Sequence, residues 1–506
     1  MTRTPREYSS GKRFAFPPSV WLPALVILVI AACYFVIFRD LVFVCDDIAY
    51  SETMKNLNAG WKAYPIMMHL HWEEHYSRMA EMIAPAFMEY LPAVPRALFM
   101  ALFIGIFFWF SLLFCRFRRS ATFWRLVLIA LIAFTLRWDG LWTEYIAFIN
   151  NVWSSAFALG ALLLIFKGNP ANDSGWLWLL LPFAVAAGWM HEACGIPLAI
   201  GLFCLFYFNR PLFSRLSQAK KALAASFMLG AFLTLTSPAS YGRIMAEHEP
   251  YADIIFGSLY WPLTLIIVTA ILFFTRRNFI KRLAATPWTL FAVAGVVGCT
   301  FPLAAGFGGR PAWFCQFFSL LALTIMAAEG GLRLPRPASI ILSPILAALV
   351  ILHYIGLERW QAVLTAQTRD VVELLGRSRD GVIFYDYIRE PDLPWWTMRK
   401  LHAVPDEDDT GYRLKMGLFY ANANTPVILP TAAASLPYAS MSHPVKIGDS
   451  YISPFSFNFP VTDIWTVCGH HRVLLIGGEK MIEIPFSRAG RHFWFYTPLD
   501  FDRGEK

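Results

Sequence analysis

Long apolar runs separated by short polar connections occupy the first two thirds of the chain, near residues 20–38, 97–115, 121–136, 152–166, 176–190, 194–208, 222–236, 259–275, 287–303, 313–328 and 338–355. A helix that crosses a bilayer needs about 20 mostly apolar residues, so each run is read as a spanning helix, the shorter ones tilting or dipping. Only His191, Glu192 and Ala193 separate the runs 176–190 and 194–208. The first run follows Arg3, Arg6, Lys12 and Arg13 but has no small-residue cleavage site after it, and is read as a retained helix rather than a signal peptide. From about Gly356 the pattern changes. A polar helix-like stretch, Leu357–Leu375, precedes strand-like runs at Val382–Tyr385, Val427–Leu429, Val473–Ile476, Ile482–Ile484 and Phe493–Tyr496, set apart by Gly, Pro and Asp turn signals. The pattern predicts an α-helical polytopic membrane protein with about 11 transmembrane helices in residues 1–355, and a small C-terminal extracytoplasmic α/β or β-rich domain in 356–506.

Composition agrees: of 506 residues 57% are hydrophobic and 15% charged, beyond the apolar content of soluble domains. The formal charge of +8 would suggest nucleic acid in a soluble protein. Here it follows the positive-inside rule and no nucleic-acid partner is expected. With the N-terminus in the cytoplasm, Arg116, Arg118, Arg119, Arg210, Lys220, Lys221, Arg276, Arg277, Lys281 and Arg282 fall inside, and most acids before the tail fall outside. An odd number of spans places the tail outside. The tail carries no N-glycosylation acceptor, which favours a bacterial inner membrane and periplasm. The 8 cysteines show no pair spacing, and no disulfide or zinc framework is visible.

Candidate chemistry collects in the outer segments. In the first outer loop, 39–96, Asp46 and Asp47 follow helix one in "VCDDIAYSE", where a low dielectric would suit one of them as a general base or metal ligand. A solvated helix-end pair is the plain alternative. In "HLHWEEHYSRMAEM", a helix would put His71 with His75, and Glu74 with Arg78, on one face lying along the membrane. The same residues spell H-x-x-E-H, a zinc-peptidase pattern without a visible third ligand. "RWDGLWTEYIAFINNVW" brings Asp139, Glu144, Asn150 and Asn151 among interfacial aromatics, and reads either as an aromatic belt or as a carbohydrate-stacking surface. "AGWMHEACG" sets His191 and Glu192 at a membrane boundary, where ionisable groups are costly and point to function unless they cap a helix end. "TSPASYGRI" and "GFGGRPAWF" deliver Arg243 and Arg310 to outer helix ends, as phosphate-binding forks or as snorkelling side chains.

Together these features resemble the GT-C superfamily of integral-membrane glycosyltransferases. The resemblance rests on "CDDIAYSE" after helix one, a surface helix in the same loop, basic residues at later outer helix ends and a C-terminal extramembrane domain. "LWTEYIAFINNVW", "GWMHEACGIPL", "SPASYGR" and "GGRPAWF" look most like an uncharacterised bacterial group within it. The resemblance implies transfer of a sugar from a polyprenyl-phosphate donor to a cell-envelope glycan or lipid acceptor. In that reading Asp47 or Asp46 is base or metal ligand, with Asp47 favoured as the residue leading into the loop. Arg243 and Arg310 hold the donor phosphate, and His191, Glu192, Glu144, His71, His75 and Arg78 line the substrate site. A divalent metal ion is left open. A transporter or flippase of a lipid-linked saccharide or anion is the alternative, and a membrane zinc metallopeptidase a remote one. Topology tests the frame: reporters fused at Arg3 and at Lys506 should report opposite sides of the membrane, and the same side would remove the odd span count.

Overall fold

The computed structural model describes residues 18–377, apart from 42, 44–46, 48–61, 71–77, 116, 118–120, 137, 139–143, 169, 172–173, 237–250, 306–311 and 332–333, together with strands between 382 and 497. The helices in chain order are α1 (Pro18–Asp40), α2 (Ala63–Leu70), α3 (Met79–Tyr90), α4 (Ala93–Phe114), α5 (Ala121–Thr135), α6 (Tyr145–Phe166), α7 (Gly175–Trp189), α8 (Glu192–Phe208) and α9 (Arg210–Arg215). There follow α10 (Gln218–Leu233), α11 (Tyr251–Ser258), α12 (Tyr260–Thr275), α13 (Arg277–Leu283), α14 (Trp288–Gly298), α15 (Thr300–Ala305), α16 (Trp313–Glu329) and α17 (Arg336–Arg377). Each apolar run of the sequence falls on one of these helices except 287–303, which is shared by α14 and α15. Among the described residues four helices are long and apolar enough to cross a membrane, α1, α4, α6 and the first 27 residues of α17, or up to six if the bent pairs α7–α8 and α13–α14 each count as one span.

Local chemistry sets several boundaries. Ser217 caps α10 by accepting from the Lys220 N–H at 3.3 Å, and Asn209 caps α9 by accepting from the Leu212 N–H at 3.2 Å. Pro18 opens α1, where its missing N–H costs nothing. The polar helix-like stretch that opens the tail, Leu357–Leu375, is helical and continues α17 without a break, giving a 42-residue rod about 63 Å long at 1.5 Å per residue. No proline or glycine pair stands near residue 356 to stop it, so hydrogen bonding propagates past the end of the apolar stretch.

The outer flanks of the bundle are apolar. Leu28 of α1, Phe203 and Phe208 of α8, Ile267 and Phe274 of α12 and Ile340 of α17 are all more than half exposed. In water this would be an aggregating surface; in hydrocarbon it is the expected exterior of a membrane protein. The interior is organised around α6, whose span is 89% buried. Helix α1 packs on α4 and α17, α7 on α10, α8 on α14, and α14 on α16. Tyr34, Phe38, Phe107, Trp138, Phe148 and Trp313 are fully or almost fully buried and form a continuous aromatic contact set.

Beyond α17 the described segments are strands: β1 (Val382–Tyr385), β2 (Val427–Pro430), β3 (Ala439–Met441), β4 (Val445–Ile447), β5 (Ser450–Phe457), β6 (Asp463–Val467), β7 (Arg472–Gly477), β8 (Lys480–Pro485) and β9 (Phe493–Thr497). Six form a mixed sheet in the order β2-β1-β9-β5-β3 with β4 also on β5, and β6-β7-β8 form an antiparallel meander. In the mixed sheet β1 runs parallel to β2 and antiparallel to β9, with Ile383 opposite Tyr496.

Helices α7 and α10 cross at glycines. A Cβ added at Gly188 would meet the carbonyl oxygen of Phe227, and one added at Gly230 would meet that of Val185. Without a hydrophobic force between helices in lipid, such close backbone approach is a main source of affinity. Gly230→Leu should therefore separate the pair and cost roughly 1–3 kcal/mol, read as a lower Tm of the detergent-purified protein; an unchanged Tm would show that the crossing does not stabilise the bundle.

Candidate functional site

The first turn of α6 carries the site. A helix leaves its first N–H groups without intrahelical partners, and in a buried helix those donors need acceptors from elsewhere. Asp47 supplies two: Oδ2 accepts from the Tyr145 N–H at 3.0 Å and Oδ1 from the Ile146 N–H at 2.9 Å. The carboxylate is fully buried. It sits at the positive end of the helix dipole, where a negative charge is favoured. Beside it, the Tyr145 hydroxyl donates to the Phe38 carbonyl at 2.6 Å. Arg96, from the first turn of α4, lies over the rings of Phe43 and Tyr145 at 4.8 and 5.4 Å and donates to the Met88 carbonyl.

One turn further along, a second cluster joins three distant segments. Arg78 at the N-terminus of α3 grips Glu192 with both edges of its guanidinium: Nε donates to Oε2 at 2.6 Å and Nη2 donates to Oε1. Its Nη1 donates to Glu81 Oε1 at 2.7 Å. The same Glu81 oxygen accepts from Asn150 Nδ2 of α6 at 3.0 Å. The Ala80 N–H donates to the Met190 carbonyl at 3.2 Å, tying α3 to the break between α7 and α8. The Arg78 side chain is only 16% exposed. Burial works against its charge, but the carboxylates of Glu192 and Glu81 outweigh it and hold the guanidinium well above its ordinary basicity.

His191 and Glu192 mark a bend of 117° between α7 and α8. His191 has extended backbone and caps α8, its Nδ1 accepting from the Ala193 N–H at 3.2 Å. A ring nitrogen that accepts an N–H bond carries no proton, so His191 is neutral with its donor on Nε2. Its 3.5 Å approach to Glu192 Oε2 is therefore a contact beside the Arg78 clamp rather than an ion pair. The ring packs on Phe314 of α16 with centroids 4.8 Å apart. Asn150 lies in a π-helical turn of α6, Ile149–Trp153, a distortion often found at functional sites.

The structure thus brings Arg78, His191 and Glu192 together and places Asp47 about one turn away along α6. Glu144 is buried directly before α6. Asp46, His71, His75, Arg243 and Arg310 lie outside the described residues. Arg78 departs from the reading of a surface helix running through it with Glu74 one turn back. Its backbone is extended, φ −71° and ψ 120°, so it precedes α3 and pairs forward with Glu81. Helical spacing alone pairs Arg78 with Glu74 at i,i+4 and does not single out Glu81. The i,i+3 spacing of Arg78 and Glu81, followed by an apolar helix, was the available signal. Among the described residues no group of three or more His, Cys, Asp or Glu is placed to hold a metal ion. Comparison with protein-family models, with curated proteins and with solved structures finds no match.

Chemically, the arrangement is a set of fixed carboxylates with one guanidinium, an amide and a neutral imidazole, held at one end of an apolar bundle. Asp47→Ala should leave two helix-end N–H groups without this acceptor and cost about 2–4 kcal/mol. Arg78→Met should cost about 3–5 kcal/mol by stranding Glu192 and Glu81 against each other. Adding Glu192→Met to Arg78→Met should recover part of that loss. Thermal unfolding of the three variants in detergent checks these values, and a double variant less stable than Arg78→Met by the full cost of Glu192→Met alone would show no coupling.

Proposed function

We propose that the chain is a GT-C type membrane glycosyltransferase of the bacterial inner membrane, moving a sugar from a polyprenyl-phosphate donor to a cell-envelope glycan or lipid acceptor. The observation that carries the reading is the gathering of ionisable and polar groups from separate loops at one end of an apolar bundle: Asp47, Arg78, Glu81, Asn150, His191 and Glu192 all meet around the first turns of α6. A lipid-linked donor enters such a site sideways from the bilayer, and its polar head stays at the interface. In the proposed reaction an acceptor hydroxyl oxygen attacks the anomeric carbon, the bond from that carbon to the phosphate oxygen breaks, and polyprenyl phosphate leaves. The base is Asp47 or Asp46. On Asp47 both oxygens accept from helix N–H groups, of Tyr145 and Ile146, so the proton would be taken on a lone pair those amides do not use. Arg243 and Arg310 are proposed to hold the phosphate, with Arg78 fixing Glu192 toward the sugar. Eleven crossings, each on a helix that coincides with an apolar run, would put the N-terminus in the cytoplasm and residues 356–506 in the periplasm.

A second reading is favoured by the bend between α7 and α8. Broken helices with ionisable residues at the break are how transporters build binding sites inside the membrane. Here the break holds His191 and Glu192 against Arg78.

The test supplies purified protein in nanodiscs with polyprenyl-phosphate sugars and envelope glycan acceptors, and measures acceptor-dependent release of polyprenyl phosphate. Asp47→Asn should lower the turnover of folded protein by at least about 10²-fold, the scale of general-base catalysis. Its Tm is measured alongside, because the new amide NH2 would face one of the two helix-end N–H groups and weaken the cap. Normal transfer by Asp47→Asn with loss in Asp46→Asn moves the base to Asp46, and normal transfer by both overturns the carboxylate mechanism. Solute uptake by proteoliposomes without any transfer would establish the transporter reading in its place.

A further inference from the structure

Two short helices meet at the end of the bundle where α6 finishes, the end marked by the Lys220 ammonium donating to the Lys167 carbonyl at 2.8 Å. Asn209, directly after α8, caps α9 through Oδ1, while its Nδ2 donates to the Ala285 carbonyl at 2.9 Å and so clasps α9 to the segment that follows α13. Helix α13 stands at 93° to the helical run that begins with α14. It turns Phe279, Ile280 and Leu283 onto the core and leaves Arg277, Asn278, Lys281 and Arg282 exposed. That is the pattern of a helix lying in the plane of a membrane surface. Helix α9 is built alike, with Leu212 packed inward and Arg210 and Arg215 exposed.

The charge here is almost all of one sign. Arg276 adds to the cations of α13 and Lys221 to those of α9, while the chain carries no Asp or Glu from 193 to 246 or from 254 to 328. Glu329 borders the patch at the end of α16, where a Cβ added at Gly330 would lie 3.6 Å from the Phe279 ring. None of these cations makes an ion pair among the described residues. Aromatic rings hold three of them instead: Arg210 lies over Tyr207 at 5.7 Å, Lys221 over Phe213 at 5.3 Å and Arg277 over Phe273 at 5.6 Å. Those rings are themselves exposed, and Phe208 and Phe274 beside them carry the same surface into the apolar flank of the bundle.

We propose that the clasped helices α9 and α13 bind the headgroup of an anionic phospholipid. Cations gathered with so little acid among them repel one another, and a bound anion relieves that repulsion. Guanidinium forks match phosphate oxygens, and the exposed rings beside them suit the carbon of the headgroup and upper acyl chain. A zwitterionic lipid fits poorly, because its ammonium would join a surface that is already cationic. An acidic protein segment matches the charge but leaves the exposed rings uncovered. Since α8 packs on α14, a headgroup bridging α9 and α13 would fasten the same two helices together at their ends. The site lies at the opposite end of the bundle from Asp47 and does not depend on whether the polar cluster there serves transfer or transport.

Full-length protein in detergent is titrated with phosphatidylglycerol and with phosphatidylcholine of the same acyl chains, and bound lipid is counted by native mass spectrometry. Phosphatidylglycerol should be retained about fivefold or more over phosphatidylcholine, the scale of one cation near an anionic surface. The triple variant Arg277→Gln, Lys281→Gln, Arg282→Gln, at exposed positions, should bring the two lipids level, and Lys62→Gln, outside the patch, should keep the preference. Equal retention of both lipids by the wild type, or a preference that survives the triple variant or is lost in Lys62→Gln, would overturn the assignment. Displacement of the lipid by an equal concentration of glycerol phosphate would make this a site for a soluble phosphate, and tighter binding of a polyglutamate peptide would make it a protein-docking face. Either result removes the lipid.

Discussion

A helix buried on all sides has nowhere to send its terminal backbone groups except to the protein around it, and that constraint organises this bundle. Helix α6 spans 22 residues at its centre. Unsatisfied N–H and C=O groups at the ends of such a buried helix are expensive. Charges of the matching sign are recruited from far along the chain. Asp47 takes the Tyr145 and Ile146 N–H groups at the positive end of the dipole. At the other end the Lys220 ammonium donates to the Lys167 carbonyl at 2.8 Å. The segment after α1 and the start of α10 are thereby held to opposite ends of one rod. The packing of α1, α4 and α10 around it follows from those two attachments.

The same constraint explains why the chemistry gathers where it does. The polar end of α6 already requires a carboxylate, and a second polar cluster can be built beside it without opening another hole in the apolar interior. Arg78 answers Glu81 and Glu192, and Asn150 is drawn in through Glu81. Charges buried in this way add little net stability against an apolar replacement. Their retention at one end of the bundle, next to a bent helix pair and a π-helical turn, is what supports the proposed site there.

Asp47 consequently carries two demands. As a helix cap it must stay fixed on the Tyr145 and Ile146 N–H groups; in the proposed reaction it would also have to accept a proton. The two are compatible only if the proton is received on a lone pair that the amides do not use. A substitution here disturbs the start of α6 whatever its effect on the proposed reaction, so stability and turnover have to be read side by side.

The hydrophobic pattern alone determined where the apolar helices lie, because long apolar runs bounded by charge have few other stable states in a bilayer, and every run lies mainly on helix. It also marked the polar residues worth watching, since an acid pair after α1 and His191-Glu192 between two apolar runs are costly enough to stand out in one dimension. It did not reveal that Leu357–Leu375 continues α17, because a change from apolar to polar composition leaves helical hydrogen bonding intact. Partnership was decided only in three dimensions. Arg78 and Glu192 are 114 residues apart, and Asp47 and Tyr145 are 98 apart. Hydrophobic periodicity specifies which face of a helix is buried, but not which helix end lies opposite it. That is set by how the bundle closes around α6 and satisfies its terminal groups.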